Sequence, residues 1–133
     1  MILCFSCLSN RQVSFPLIVR GEMTSGCEHG GQWGVACTVE NRLPERITGM
    51  NFILSLFDED GEPVFATDWM EFHFGFSENP IEQGEERNFF ILLDDYLETE
   101  PDEPYLVDYF YACRVEYESG RVQEDPFGRY GMN

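Results

Sequence analysis

The chain has 133 residues and a formal net charge of −17, and 43% of its residues are hydrophobic, among them 12 Phe. This length and apolar fraction indicate one folded domain with an ordinary core, whereas the negative charge repels phosphate backbones and excludes nucleic acid as an expected partner. No apolar run approaches the roughly 20 residues of a transmembrane helix, and the lack of Lys excludes lysine nucleophiles.

The first twelve residues differ in composition from the rest. Residues 1–8 are apolar and include Cys4 and Cys7, but this stretch is too short for a complete secretory signal and no basic residue precedes it. We interpret residues 1–12 either as an unstructured terminus or as the remnant of an export or lipoprotein signal, in which Cys7 would carry the lipid. A single domain is then expected over residues 13–133.

From Val13 onward the pattern is that of an all-β protein. In 33–41, Trp33, Val35, Cys37 and Val39 alternate with small or polar residues, which is the period of a half-buried strand. The number of such segments and the spacing of turns predict an immunoglobulin-like antiparallel β-sandwich of about seven or eight strands. The predicted strands are 13–19, 33–41, 47–57, 64–67, 70–76, 87–93, 106–117 and 121–124.

Two acidic segments lie between these strands. In 58–63, Gly61 supplies the positive φ of a tight turn and Pro63 ends the ladder, and the spacing of the carboxylates differs from that of an EF-hand. Segment 94–103 is interpreted as a solvated acidic loop with at most one helical turn, because Pro101 and Pro104 limit it. Whether this loop binds Ca²⁺ stays open at this point.

One strand end carries a family resemblance. Leu54-Ser55-Leu56-Phe57-Asp58, followed by a Glu-Asp-Gly-Glu-Pro turn, resembles the signature of the FxLYD family, with Leu54 in place of Phe and Phe57 in place of Tyr. We expect Leu54 and Leu56 to pack into the core and Phe57 to lie on the opposite face. Asp58 is expected to accept hydrogen bonds from the turn backbone.

Two further segments extend the resemblance, which covers roughly residues 33 to 120. Val39-Glu40-Asn41 resembles the Val-x-Asn element of that family, and Ile81-Glu82-Gln83-Gly84-Glu85 resembles its later turn before a Phe-rich strand. The resemblance implies a sandwich architecture and carries no catalytic residue.

Cys37 and Cys113 are candidate disulfide partners. An immunoglobulin-type sandwich can join its second and sixth strands by such a bridge, with a Tyr two residues before the second Cys, and Tyr111 occupies that place. We expect Tyr111, Cys113, Val115 and Tyr117 to share one face. The alternative is two free core thiols, and an exported protein favours the bridge.

No sequence pattern indicates an active site. A nucleophile elbow, a phosphate-binding loop and an HExxH motif are missing, and the pair Cys27 and His29 lacks a complementary pair at zinc-site spacing. His73, between Phe72 and Phe74, is expected on an outer face. We therefore predict no catalytic residue, no cofactor and no metal ligand.

The C-terminal segment 124–131 mixes aromatic residues, Gly and Arg. Phe127 and Tyr130 are expected to fold back over a sheet edge. Alternatively, Phe127, Arg129 and Tyr130 form a partner surface.

The leading hypothesis is a non-catalytic interaction or structural module of a bacterial exported or surface-anchored protein, with a protein as partner. An exported or cell-envelope location is favoured over the cytoplasm. One alternative is an acidic cytosolic protein that binds a cationic protein through its negative field. The other is a small hydrolase or metal-dependent enzyme that uses acidic residues.

Overall fold

The computed structural model describes residues 17–25 and 32–128, which form an all-β fold of two antiparallel sheets. A three-stranded sheet has the order β1-β2-β5, and a four-stranded sheet has the order β4-β3-β6-β7. The predicted antiparallel sandwich is confirmed at this level. The strands are β1 Leu17–Ser25, β2 Trp33–Asn41, β3 Ile47–Phe57, β4 Met70–Gly75, β5 Glu86–Leu92, β6 Leu106–Tyr117 and β7 Val122–Glu124.

The core lies between the two sheets. Val35, Cys37 and Val39 of β2 are buried there, as the period of two predicted. Leu54 and Leu56 of β3 are fully buried in the same core, also as predicted. Both sheets therefore contribute one apolar face to a common interior.

Phe52 is at the centre of this core. Its ring centroid lies 6.1 Å from that of Phe74 on β4, 5.2 Å from that of Phe89 on β5 and 5.1 Å from that of Phe110 on β6. The side chain has no solvent exposure. One aromatic ring thus connects four strands and both sheets.

Asn41 joins two segments of the FxLYD resemblance. Its Nδ2 donates to the carbonyls of Glu45, at 2.7 Å, and Ile81, at 3.0 Å, while its Oδ1 accepts from the Leu43 N–H at 3.0 Å. The backbone N–H of Gly84, a residue with φ of 80°, donates to the Asn41 carbonyl. This buried amide holds the 81–85 turn against the end of β2.

The turn after β3 has the predicted construction. Asp58 Oδ1 accepts from the N–H groups of Asp60 and Glu62, both at 2.9 Å, and Gly61 has φ of 80°. Phe57 is partly exposed and lies outside the core cluster. The hydrogen-bonding role predicted for Asp58 is confirmed.

One strand prediction is wrong, and another strand was predicted to end too early. Segment 64–67 makes bends and turns, because β3 and β4 are adjacent in one sheet and the chain between them must reverse direction. The first strand begins at Leu17 and runs to Ser25, since exposed Arg20 and Glu22 alternate with buried Met23. The predicted residues 13–16 lie outside the described part.

The only helical element of the described residues is a 3₁₀ turn at Asp94–Tyr96, so 94–103 is a loop with one turn, as predicted. No helix in this part of the chain is long and apolar enough to cross a membrane.

Candidate functional site

A β-bulge in β6 decides which side chains reach the outer face of the four-stranded sheet. Asn51 pairs with Arg114 but Phe52 pairs with Ala112, so that Cys113 is an extra residue in its strand. Ala112 and Val115 therefore both face the core, whereas Cys113 turns outward. The prediction that Tyr111, Cys113, Val115 and Tyr117 share a face is wrong for this reason.

The predicted bridge between Cys37 and Cys113 is also wrong. Cys37 lies in the core and Cys113 lies on the opposite side of the four-stranded sheet, and both are free thiols. Tyr111 does not close a corner with upstream backbone, because its hydroxyl donates to the carbonyl of Pro126, at 2.8 Å, further along the chain.

The outer face of the four-stranded sheet contains a recess of about 630 Å³, which we call the outer-face cleft. Buried Ile53 forms part of its floor, and Trp69 and Pro126 project from segments that flank the sheet. Its other lining residues are Asn51, Glu71, His73, Cys113, Arg114, Glu116 and Glu124.

The turn before β4 positions Trp69. Ser55, on the outer face of β3, donates a hydrogen bond of 2.9 Å from its hydroxyl to the carbonyl of Asp68. The hydroxyl of Thr67 donates to the carbonyl of Trp69 at 2.6 Å. Trp69 remains 44% exposed as a residue, so its indole is available to a ligand.

The segment after β7 forms the opposite wall. The N–H of Asp125 donates to the Cys113 carbonyl at 2.8 Å, and the Pro126 carbonyl accepts the hydrogen bond from the Tyr111 hydroxyl. A Cβ at Gly128, whose φ is 67°, would lie 2.9 Å from the Tyr111 ring. Gly128 thus lets the chain cross closely over Tyr111.

Asn51 orients two polar side chains of the cleft. Its Oδ1 lies 2.7 Å from His73 Nδ1, and its Nδ2 donates to Glu71 Oε2, also at 2.7 Å. The Cys113 thiol lies 3.7 Å from the same Glu71 oxygen. His73 is exposed on the outer face, as its alternation with Phe72 and Phe74 predicted.

The charge of the cleft is negative. Arg114 Nε lies 3.0 Å from Glu116 Oε2, and its Nη1 lies 3.7 Å from Glu124 Oε2. With Glu71 there are three carboxylates and one guanidinium, which leaves a net charge of −2 if His73 is neutral. A cation that enters the cleft is therefore stabilised electrostatically.

These groups are poorly suited to nucleophilic chemistry. Burial, and then the charge of Glu71, raise the pKa of the Cys113 thiol to about 12, which disfavours the thiolate.

Outside the cleft, hydrogen bonds lower two carboxyl pKa values: that of Glu45, mainly through Arg121, and that of Glu85, mainly through the Glu82 backbone. A general acid needs the opposite shift. No group of three metal-binding side chains occurs within 17–25 and 32–128.

Of the two interpretations of the C-terminal segment, the one in which Phe127 folds back over a sheet edge is wrong, and the partner surface stays a prediction. Only the backbone of this segment folds back over Tyr111, and the Phe127 side chain is 77% exposed beside Pro126. Arg129 and Tyr130 lie outside the described residues, as do 1–12 with Cys7, and Cys27 with His29.

The cleft was not predicted from the sequence. Asn51, Glu71 and His73 occupy outward positions of two neighbouring strands, and this polar alternation was a usable signal. Trp69 and Pro126 belong to loops, whose positions the alternation does not determine.

We expect neither Cys37 nor Cys113 to react with iodoacetamide in the native protein at pH 8. Burial raises both thiol pKa values, that of Cys113 from 9.0 to about 12, so that little of either thiol is ionised at pH 8. Peptide mapping should show both residues alkylated after unfolding in urea without reductant. A peptide linking Cys37 to Cys113 in the unreduced digest would contradict the structure.

No protein-family model, no curated protein and no solved structure matches the chain. The fold and the cleft therefore define the protein only as an all-β sandwich with an acidic recess on one sheet.

Proposed function

We propose that this domain is a non-catalytic binding module whose protein partner docks on the outer-face cleft. The observation that supports the proposal is a recess with an exposed aromatic residue in its lining and a second one directly after the lining residue Pro126. Trp69 is 44% exposed and Phe127 is 77% exposed, next to Pro126. Large exposed aromatic residues beside a concave surface are typical of protein interfaces.

The outer face of the three-stranded sheet offers less to a partner. A Thr38–Asn88 hydrogen bond of 2.8 Å links the neighbouring strands β2 and β5, and an Arg20–Glu86 ion pair of 3.8 Å joins β1 to β5 across β2. These polar groups are already engaged with one another. The contrast between the two faces supports the four-stranded sheet as the binding side.

The strand partition supports the immunoglobulin-like assignment. First, second and fifth strands form one sheet, and the remaining four form the other, which suits a sandwich of the immunoglobulin or fibronectin type. Two of the segments that resemble the FxLYD family are hydrogen-bonded to each other, because Asn41 of the first contacts Ile81 and Gly84 of the second. Because Cys37 and Cys113 are free, the proposal requires no oxidising compartment, and export remains a hypothesis from the sequence.

The test compares two double variants in the cells that make the protein. Trp69→Ala with Phe127→Ala removes the two exposed aromatic side chains, and we expect the amount of partner captured to fall at least tenfold relative to tagged wild type by quantitative mass spectrometry. Leu92→Ala with Leu106→Ala is the matched control, since these side chains are 42% and 67% exposed and do not line the cleft.

We expect the control to retain the partner, and thermal unfolding should show both variants folded. Loss of the partner in the control alone would contradict the proposed face, and so would equal retention in both variants.

A further inference from the structure

We infer that the partner inserts an Arg or Lys side chain into the outer-face cleft, an inference that rests on the proposed function. The cation contacts the carboxylates of Glu71 and Glu124, and the aliphatic stem lies against the indole of Trp69. The recess of about 630 Å³ can hold one long side chain with flanking backbone. Charge complementarity and the state of each lining group support this ligand chemistry.

Glu71 is a carboxylate without a cation. Its Oε2 accepts from the neutral Asn51 amide at 2.7 Å and lies 3.7 Å from the neutral Cys113 thiol. No ion pair involves Glu71 among the described residues. Asn51 holds it in place, so that a guanidinium or ammonium could approach a preoriented carboxylate.

Glu124 also has capacity for a second cation. Its side chain is 66% exposed, and its contact with Arg114 is the long one at 3.7 Å, whereas Glu116 holds the same guanidinium at 3.0 Å. Arg114 thus pairs mainly with Glu116, which leaves the Glu124 carboxylate able to contact a ligand. Trp69 adds an exposed aromatic face, on which guanidinium groups stack.

The same charges disfavour an anion. Every arginine of the described residues pairs with a glutamate. Within 17–25 and 32–128 there is therefore no unpaired guanidinium to bind a phosphate or carboxylate ligand. These arginines are Arg20, Arg42, Arg46, Arg87, Arg114 and Arg121. The net charge of −17 acts in the same direction at long range.

The experiment titrates the ¹⁵N-labelled full chain with acetyl-Gly-Gly-Arg-Gly-Gly-amide in 150 mM salt and follows amide shifts by NMR. The matched probe replaces Arg with citrulline, which keeps the shape and removes the charge. We expect saturable shifts of the Trp69 indole N–H and of the Ile53 and Cys113 amides. The citrulline peptide should bind about tenfold more weakly or worse.

Charge-neutral variants separate the site from the general field. Glu71→Gln and Glu124→Gln should each weaken the Arg peptide about tenfold, whereas Glu22→Gln, an exposed position on β1, should leave the dissociation constant unchanged. Equal weakening by Glu22→Gln would overturn the inference. Shifts centred on the 94–103 loop, or the same cleft shifts produced by inorganic phosphate, would overturn it too.

This result is distinguishable from failure of the proposed function. Loss of the native partner from the Trp69→Ala, Phe127→Ala variant without any Arg-peptide binding in the cleft refutes the cationic ligand and leaves the binding face intact. Saturable Arg-peptide binding in the cleft, with the native partner unaffected by that double variant, refutes the binding face instead.

Discussion

Phe52→Ala is expected to lower the free energy of unfolding by about 3–5 kcal/mol, as for other buried Phe truncations. The side chain is fully buried and packs on rings from β4, β5 and β6, so its removal leaves a cavity that three strands border. Urea denaturation followed by circular dichroism measures the difference.

Phe127→Ala is the matched control for this substitution. Phe127 is 77% exposed, and we expect its truncation to change the free energy of unfolding by no more than about 0.5 kcal/mol. Similar losses for the two variants would show that Phe52 does not occupy the centre of the core.

Asn41→Ala is expected to cost about 3 kcal/mol by the same measurement. The substitution removes three hydrogen bonds and leaves the Leu43 N–H and the Glu45 carbonyl without their side-chain partner, whereas the Ile81 carbonyl keeps the Ile47 N–H. Part of this loss comes from polar groups left unsatisfied, which is costlier than a lost surface hydrogen bond.

The control is Asn88→Ala, which removes an exposed amide with one side-chain bond to Thr38. We expect it to lie within about 0.5 kcal/mol of wild type. Asn41→Asp should be no more stable than Asn41→Ala, because a carboxylate can accept from Leu43 but repels the carbonyls of Glu45 and Ile81. A stable Asn41→Asp variant would contradict the assigned donor role.

Much of the fold could be predicted because its signals are local. The bounds of β2, β3 and β6 agree with the sequence prediction, since alternation and turn residues act over a few positions. The turn at Asp58 and the outward position of His73 follow from the same local rules.

The bulge at Cys113 could not be predicted in this way. Apolar and aromatic residues occupy both faces of β6 around Tyr111 and Ala112, so the sequence does not show where the alternation slips. The slip depends on pairing with β3, where Asn51 and Phe52 meet partners two residues apart. The false disulfide prediction followed from assuming an unbroken strand.

The cleft was missed for a related reason. Its walls come from two loops that contact the sheet through the Ser55–Asp68 and Tyr111–Pro126 hydrogen bonds, at 2.9 and 2.8 Å. Such contacts join distant parts of the chain, and no periodicity encodes them. Because carboxylates are abundant in this sequence, nothing distinguished Glu71 from the others. What sets it apart is that its hydrogen-bond partner is the neutral Asn51 amide rather than an arginine, which only the structure shows.

The measurement that tests the binding face most directly is photo-crosslinking in the cells that make the protein. Phe127→p-benzoylphenylalanine places the reactive group at an exposed position directly after the cleft residue Pro126, and Leu92→p-benzoylphenylalanine places it at an exposed position outside the cleft. We predict a discrete protein adduct from position 127 and none from position 92. An adduct from position 92 with none from position 127 would contradict the proposed binding face.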